Sequence, residues 1–213
     1  MFRRLFALWG LPGHIQVDNG HPWGLNFGLP PDVALWLIGL GIDMSWIPRG
    51  QPQLNGIVER GNGVSQQWAE PRDCRSRAEL QARLHHECEI QRERYPSIAG
   101  MSRMEAYPGL RHSGRPYHVE GEDGLWDLSR IDQFLARRPY YRRANAKGAI
   151  WLYNRGRSLG RSHRGVEVIV RFDISSRCWI VSDINGQSLK ELPAPELSRE
   201  RVLALDVGHK RRK

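Results

Sequence analysis

With 213 residues, 40% of them hydrophobic and 26% charged, the chain has the make-up of one or two soluble globular domains and excludes a coiled coil, a collagen or a disulfide miniprotein. Lys and Arg total 32 against 23 acids, a formal net charge of +9, which makes an acidic polymer the expected partner. Residues 1–110 carry 11 basic and 11 acidic side chains and residues 111–213 carry 21 and 12, so the whole excess falls in the C-terminal half of the sequence.

Cys74, Cys88 and Cys178 are too few and too scattered for a disulfide framework, and no pair has metal-finger spacing. The apolar start through Leu11 stops at Pro12-Gly13-His14 without a small-residue cleavage site, which reads as the end of an amphipathic helix rather than a signal peptide. No run approaches the ~20 apolar residues of a membrane span. A soluble, cytoplasmic protein with no membrane partner is expected.

In chain order, residues 1–10 are predicted helical and end at Gly10. His14 to Val17 alternates polar and apolar side chains as a short strand that delivers Asp18 at its tip. Asp32 is predicted to cap a helix with a body from Val33 to Leu40, closed by Gly41, and Met44 to Ile47 follows as another strand. Leu54 to Ala69 suits a helix through Ile57, Val64 and Trp68, although Gly56, Gly61 and Gly63 each cost about 1 kcal/mol relative to Ala, so packing must hold it. Ser76 to Arg94 makes a stronger amphipathic helix.

After Tyr107-Pro108 the texture becomes that of a linker, with one short helix between Leu125 and Arg143. Strands are predicted at Ala149–Tyr153, Val166–Phe172, Cys178–Ile184 and Gln187–Leu192, with Asn185-Gly186 as a hairpin turn. So many short strands in some fifty residues suggest a small β-barrel that folds on its own contacts. His209 to Lys213 reads as a disordered basic tail.

The informative stretch is Pro48 to Arg60, PRGQPQLNGIVER, taken with Val17-Asp18-Asn19-Gly20 upstream. It resembles the integrase-core, or DDE, transposases of bacterial insertion sequences, relatives of retroviral integrases. The resemblance extends through Gln91 to Pro96, Ser113 to Tyr117 and the trailing strands, so it spans nearly the whole chain. It implies an α/β fold: an incomplete RNase H-like domain in residues 1–110, a basic linker in 111–146, a small SH3-like all-β barrel in 147–197 and a basic tail in 198–213.

The resemblance also assigns Asp18 and Glu59 as catalytic carboxylates and ligands of Mg²⁺ or Mn²⁺, in a polynucleotidyl transferase acting on transposon-end and target DNA. Hard cations of this kind take oxygen ligands, and two of them about 3.5 to 4 Å apart can activate a water or 3′-hydroxyl while stabilising the leaving oxygen. The chain begins inside the family's first helix, so the three opening strands and the bridging Asp are expected to be missing. A triad reduced to a pair does not support two-metal chemistry, and the strand at His14–Val17 is expected to present a raw edge. Partners implied are double-stranded DNA and either a full-length transposase or a second copy, in a bacterial, nucleoid-associated setting.

On the family's pattern the helix face bearing Asn55, Asn62 and Gln66 meets DNA ends, while the same residues suit an ordinary solvated face. Asp-Asn-Gly alone is a common turn string. His85-His86-Glu87-Cys88 lacks a second ligand pair for zinc, and no nucleophile-elbow string appears.

Farther along, Arg137, Arg138, Tyr140, Tyr141, Arg142, Arg143 and Lys147 interleave cations with aromatic faces, which suits phosphate contact plus stacking. Arg155, Arg157, Arg161 and Arg164 then cluster in an expected barrel loop. Two functions stay open: a transposase remnant that is inactive alone, and a non-enzymatic DNA-binding or regulatory remnant acting through the basic linker and barrel. A third possibility is a downstream half completed by frameshifting or an earlier start site.

Overall fold

Gly and Pro divide the chain into short elements, seen in a computed structural model that describes residues 2–204. They run α1 (Phe2–Trp9), β1 (His14–Val17), α2 (Asp32–Gly39), β2 (Asp43–Trp46), α3 (Gly56–Ala69), α4 (Arg77–Glu93), α5 (Arg103–Ala106), α6 (Glu122–Leu125) and α7 (Leu128–Ala136). Then follow β3 (Tyr140–Arg143), β4 (Ala149–Leu152), β5 (Arg155–Ser158), β6 (Glu167–Asp173), β7 (Cys178–Ser182), β8 (Ser188–Pro193) and α8 (Arg199–Ala204). The fold is mixed α/β. Among the described residues no helix is long and apolar enough to cross a membrane.

These elements gather into two units that do not follow sequence order. One holds Met1–Pro12 with Ile47–Val119, and the other holds Gly13–Trp46 with everything from Glu120 onward.

The first unit is helical. Gly10, at φ +75°, ends α1 and lies too close to Ser113 and His112 for any side chain. Ser76 caps α4 by accepting from the Glu79 amide at 3.1 Å, and Ser102 and Glu105 form a capping box on α5. The pair α3 and α4 lie side by side, but the only residue of α3 fully buried is Ala69, and that of α4 is Gln91. The packing expected to compensate the glycines of α3 is thin, and Ile57 is 89% exposed.

In the second unit, β1 pairs in parallel with β2, His14 opposite Asp43 through Val17 opposite Trp46, and α2 makes the crossover. Helix α2 is apolar on every side because it is covered on every side, with Ala34 to Gly39 all buried. Trp36 donates from Nε1 to Glu122 at 3.1 Å, Trp126 donates to the Trp36 carbonyl at 3.2 Å, and Arg130 donates to the Gly39 carbonyl at 2.8 Å. Gly39 sits against the Trp126 indole with no room for a Cβ. Asp32 is the first helical residue rather than the cap, which is Pro31; its carboxylate instead binds Arg201 of α8 at 2.8 and 3.1 Å.

The C-terminal strands form an antiparallel sheet in the order β3-β6-β7-β8, and β4 and β5 pair only with each other. The expected barrel is therefore corrected to an open sheet, since β3 and β8 lie at opposite edges with no ladder between them. Its first strand, Tyr140–Arg143, lies inside the stretch expected to be linker, and Arg155–Ser158 is a strand where a loop was expected. The sheet does not stand on its own contacts either. Its inner residues Val168, Val170, Phe172, Trp179 and Val181 are buried, and α7 lies against β6. Asp132 of α7 receives a forked pair from Arg177 at 2.9 and 3.2 Å. The expected basic tail, 198–213, is helical from Arg199 to Ala204, and residues 205–213 lie outside the described residues.

Candidate functional site

Asp18 follows directly on β1, whose last residue, Val17, is buried and anchors the strand end. The carboxylate stands in solvent at the carboxyl end of a parallel β-α-β crossover, where open α/β sheets place their ligands. Its Oδ1 accepts the Gly20 amide at 2.9 Å, an Asx turn that sets the side chain's direction and leaves Oδ2 without a partner among the described residues.

Glu59 lies in the first turn of α3, which a 3₁₀ turn over Pro52–Asn55 leads in. It is exposed, and Asn55 donates to its Oε1 at 3.4 Å. Helical spacing puts Asn55, Glu59, Asn62 and Gln66 on one face, and Asn62 and Gln66 are also exposed. Asp18 belongs to the second unit and Glu59 to the first. Within its own unit, Glu59 is met by its helix neighbour Asn55.

The basic stretch is sorted by strand alternation. In β3, Tyr140 and Arg142 are buried while Tyr141 and Arg143 point out. Arg142 is held by the carbonyls of Tyr141 at 2.8 Å, Phe27 at 2.9 Å and Trp151 at 3.2 Å, and burial lowers its pKa from the usual guanidinium value. The Tyr140 ring meets Trp179 edge-on at 5.9 Å, and burial raises its phenol pKa. These two side chains build the core of the sheet rather than its surface.

Tyr141 is 70% exposed and lies opposite Ile169, and Arg143 lies opposite Glu167 while donating from Nε to the Gly165 carbonyl at 3.1 Å. Lys147 is exposed in the loop after β3. Arg138 donates to the Gly28 carbonyl at 2.8 Å and lies over the Tyr140 ring; Arg137 lies over Phe134. Of the second arginine group, Arg155, Arg161 and Arg164 are exposed, but Arg157 turns inward to the fully buried Glu196 at 2.6 Å.

Sequence reading missed Arg171 and Ile184. Arg171 is exposed on the same outward set of β6 as Glu167 and Ile169, and Ile184, 70% exposed, borders a hollow of about 520 Å³ with Tyr141, Arg143 and Ile169. The signal was there in the two-residue period of β6, but it points to a shared surface only once β3 is known to pair with β6.

The charge is also distributed differently from its order in the sequence. Asp18, Asp32 and Asp43 pass to the second unit and Arg111 and Arg115 to the first, so the units carry net charges of +5 and +4, with the first the larger. Both units, not the C-terminal half alone, carry a cationic excess. No protein-family model matches the sequence.

Proposed function

We propose that the chain is part of a DNA transposase of the integrase-core class, and that the 213 residues by themselves bind double-stranded DNA without transferring strands. In this reading the β1-α2-β2 crossover corresponds to part of an RNase H-like sheet. The observation that carries the reading is Asp18, exposed at the carboxyl end of a parallel strand, in a chain that also presents Glu59 in the first turn of α3.

Asp18 and Glu59 are the residues that would hold Mg²⁺ or Mn²⁺. Both are solvent-facing hard oxygen donors with an oxygen to spare, and such an ion is commonly held by one or two carboxylates with water and phosphate completing its shell. When bound, the ion supplies Lewis-acid stabilisation of a phosphoryl oxygen and a more acidic water. The sequence offers two of the family's three carboxylates, which is why strand transfer is not expected of these residues alone.

The DNA-binding reading is favoured separately by the outward set Tyr141, Arg143 and Arg171 with Lys147 nearby. Incubation with transposon-end DNA and Mg²⁺ or Mn²⁺ tests both parts. Duplex binding that weakens with salt, without end cleavage or strand transfer, is expected. Transfer abolished by Asp18→Asn or Glu59→Gln would overturn the inactive reading, and absence of any duplex binding would overturn the DNA reading.

A further inference from the structure

The face of α3 turned away from Glu59 borders a cavity of about 780 Å³ within the first unit. That volume is in the range of small-molecule sites, roughly 300 to 1,000 Å³. Helical spacing places Arg60, Val64 and Trp68 on this face, opposite Asn55, Glu59 and Gln66. The far wall brings Tyr95, Arg103 and the buried Gln91. Among the described residues no acidic side chain lines it.

Its chemistry is that of a base and a phosphate together. The rings of Trp68 and Tyr95 meet edge-on at 5.4 Å, which fixes their orientation, and Tyr95 remains 47% exposed. Neither the Arg60 nor the Arg103 guanidinium makes a hydrogen bond or ion pair among the described residues. Gln91 donates to Ser65 Oγ at 3.4 Å, which fixes its carboxamide in the wall. An apolar helix laid here would cover two unpaired guanidinium groups, an unfavourable burial. An acidic peptide would answer the charges and leave the aromatic wall unused. A base inside a duplex has its faces already stacked, so it cannot offer one without leaving the helix.

We propose that this cavity binds an unpaired nucleotide of single-stranded DNA, its base against Trp68 and Tyr95 and its phosphates on Arg60 and Arg103. Stacking of this kind tolerates any base, and guanidinium groups grip phosphate by paired hydrogen bonds. The site shares no residue with Asp18, Glu59 or the Tyr141 surface, and does not depend on the function proposed for them.

Fluorescence anisotropy with a labelled oligo-dA strand and, in parallel, a labelled duplex tests it on the whole 213-residue protein at fixed ionic strength. Joint Arg60→Ala and Arg103→Ala substitution is expected to weaken single-strand binding about tenfold or more and duplex binding by less than about twofold. Trp68→Leu should weaken the single strand likewise and Trp68→Tyr should restore most of it. Because both arginines are exposed, the arginine pair decides if Trp68→Leu disturbs folding. An unchanged single-strand affinity in the arginine variant, or equal loss for both ligands, would overturn the proposal. So would displacement of the strand by free dAMP at an equal nucleotide concentration, which would assign the cavity to a mononucleotide. Failure of duplex binding alone would count against the function proposed above and leave this site standing.

Discussion

Trp179 and Trp68 each meet a neighbouring ring edge-on, yet Trp179 is fully buried in the second unit, between Tyr140 and Phe172, while Trp68 is half-buried in the first. The contrast extends to everything around them. The largest fully buried side chains, among them Trp36, Leu35, Ile42, Ile131, Ile150 and Leu197, all belong to the second unit. In the first, Leu54, Ile57 and Val58 stand in water on the approach to α3 and along it. Hydrophobic burial is the main favourable contribution to folding, so the second unit has the larger core, while the first adds caps and a thin helix pair to a small one around Phe6, Leu11, Met104 and Tyr117. A surface that is poorly buried is also one that is open to ligands, and the first unit carries the 780 Å³ cavity beside α3 while the second carries the four-stranded sheet.

The largest effects are expected in the core. Trp179→Ala should cost about 3 to 5 kcal/mol, and Trp68→Ala, which removes a half-exposed ring, about 1 to 2 kcal/mol, as read by urea unfolding. Similar losses at both positions would erase the distinction between the units. Glu196→Ala should cost a comparable ~3 to 5 kcal/mol, because it leaves the Arg157 guanidinium and the Trp179 Nε1 group without their buried partner. The ion pair of Arg94 with Glu89 in the first unit is long, 3.8 Å, and exposed, and Glu89→Ala should leave the unfolding midpoint unmoved.

Next in size is the separation of binding from packing within β3. Arg142→Ala should destabilise the second unit by about 1 to 3 kcal/mol, since three carbonyls lose their donor. Arg143→Ala with Lys147→Ala should leave stability unchanged, weaken duplex binding and reduce the slope of log affinity against log salt by about 0.9 for each phosphate no longer neutralised. Weakened binding in both variants with stability intact would return Arg142 to the surface set.

Hydrogen exchange sharpens the same contrast without mutation. Amides of β6 and β7 should exchange only by global unfolding and those of α3 by local opening. Uniform protection across both units would show that α3 is held more firmly than its exposure implies.

The smallest effect is in acid. In the first unit the Arg75 amide and the Arg83 side chain hold Glu79 below its ordinary 4.5, and the Ser102 amide holds Glu105 there too. In the second, the Ser129 hydroxyl and amide lower Asp127 from 3.8, and the Ser176 amide and hydroxyl lower Asp173 from the same value. A carboxylate depressed on folding contributes stability that is complete above its unfolded value and lost as pH falls through its folded one. Acid titration should therefore loosen the first unit's helices beginning below about 4.5, seen by far-ultraviolet circular dichroism, before tryptophan fluorescence reports loss of the second unit's core below about 3.8. Coincident transitions would mean that the two units unfold as one.

Much of the local structure was legible in the sequence, because its causes are local. Gly10 and Gly41 end α1 and α2, Ser76 caps α4, and the alternation of His14 to Val17 and of Val168 to Phe172 makes strands. Asp18 at a strand tip was legible from alternation and Glu59 on a helix from the period of Leu54 to Ala69, although that helix begins at Gly56, which moves Glu59 into its first turn. The YYRR run of β3 was not, since an arginine on the buried side breaks the apolar alternation that announces a strand. What only the tertiary structure decided is which segments share a core. Asp32 with Arg201 and Trp36 with Glu122 join positions 169 and 86 residues apart and draw α2 out of the N-terminal half against α7 and α8, while Asp132 with Arg177, 45 residues apart, ties α7 to the start of β7. Propensity and periodicity act within a segment, whereas a core forms wherever apolar faces from any part of the chain can exclude water together, and that choice turned Tyr140 and Arg142 inward and left α3 largely in solvent.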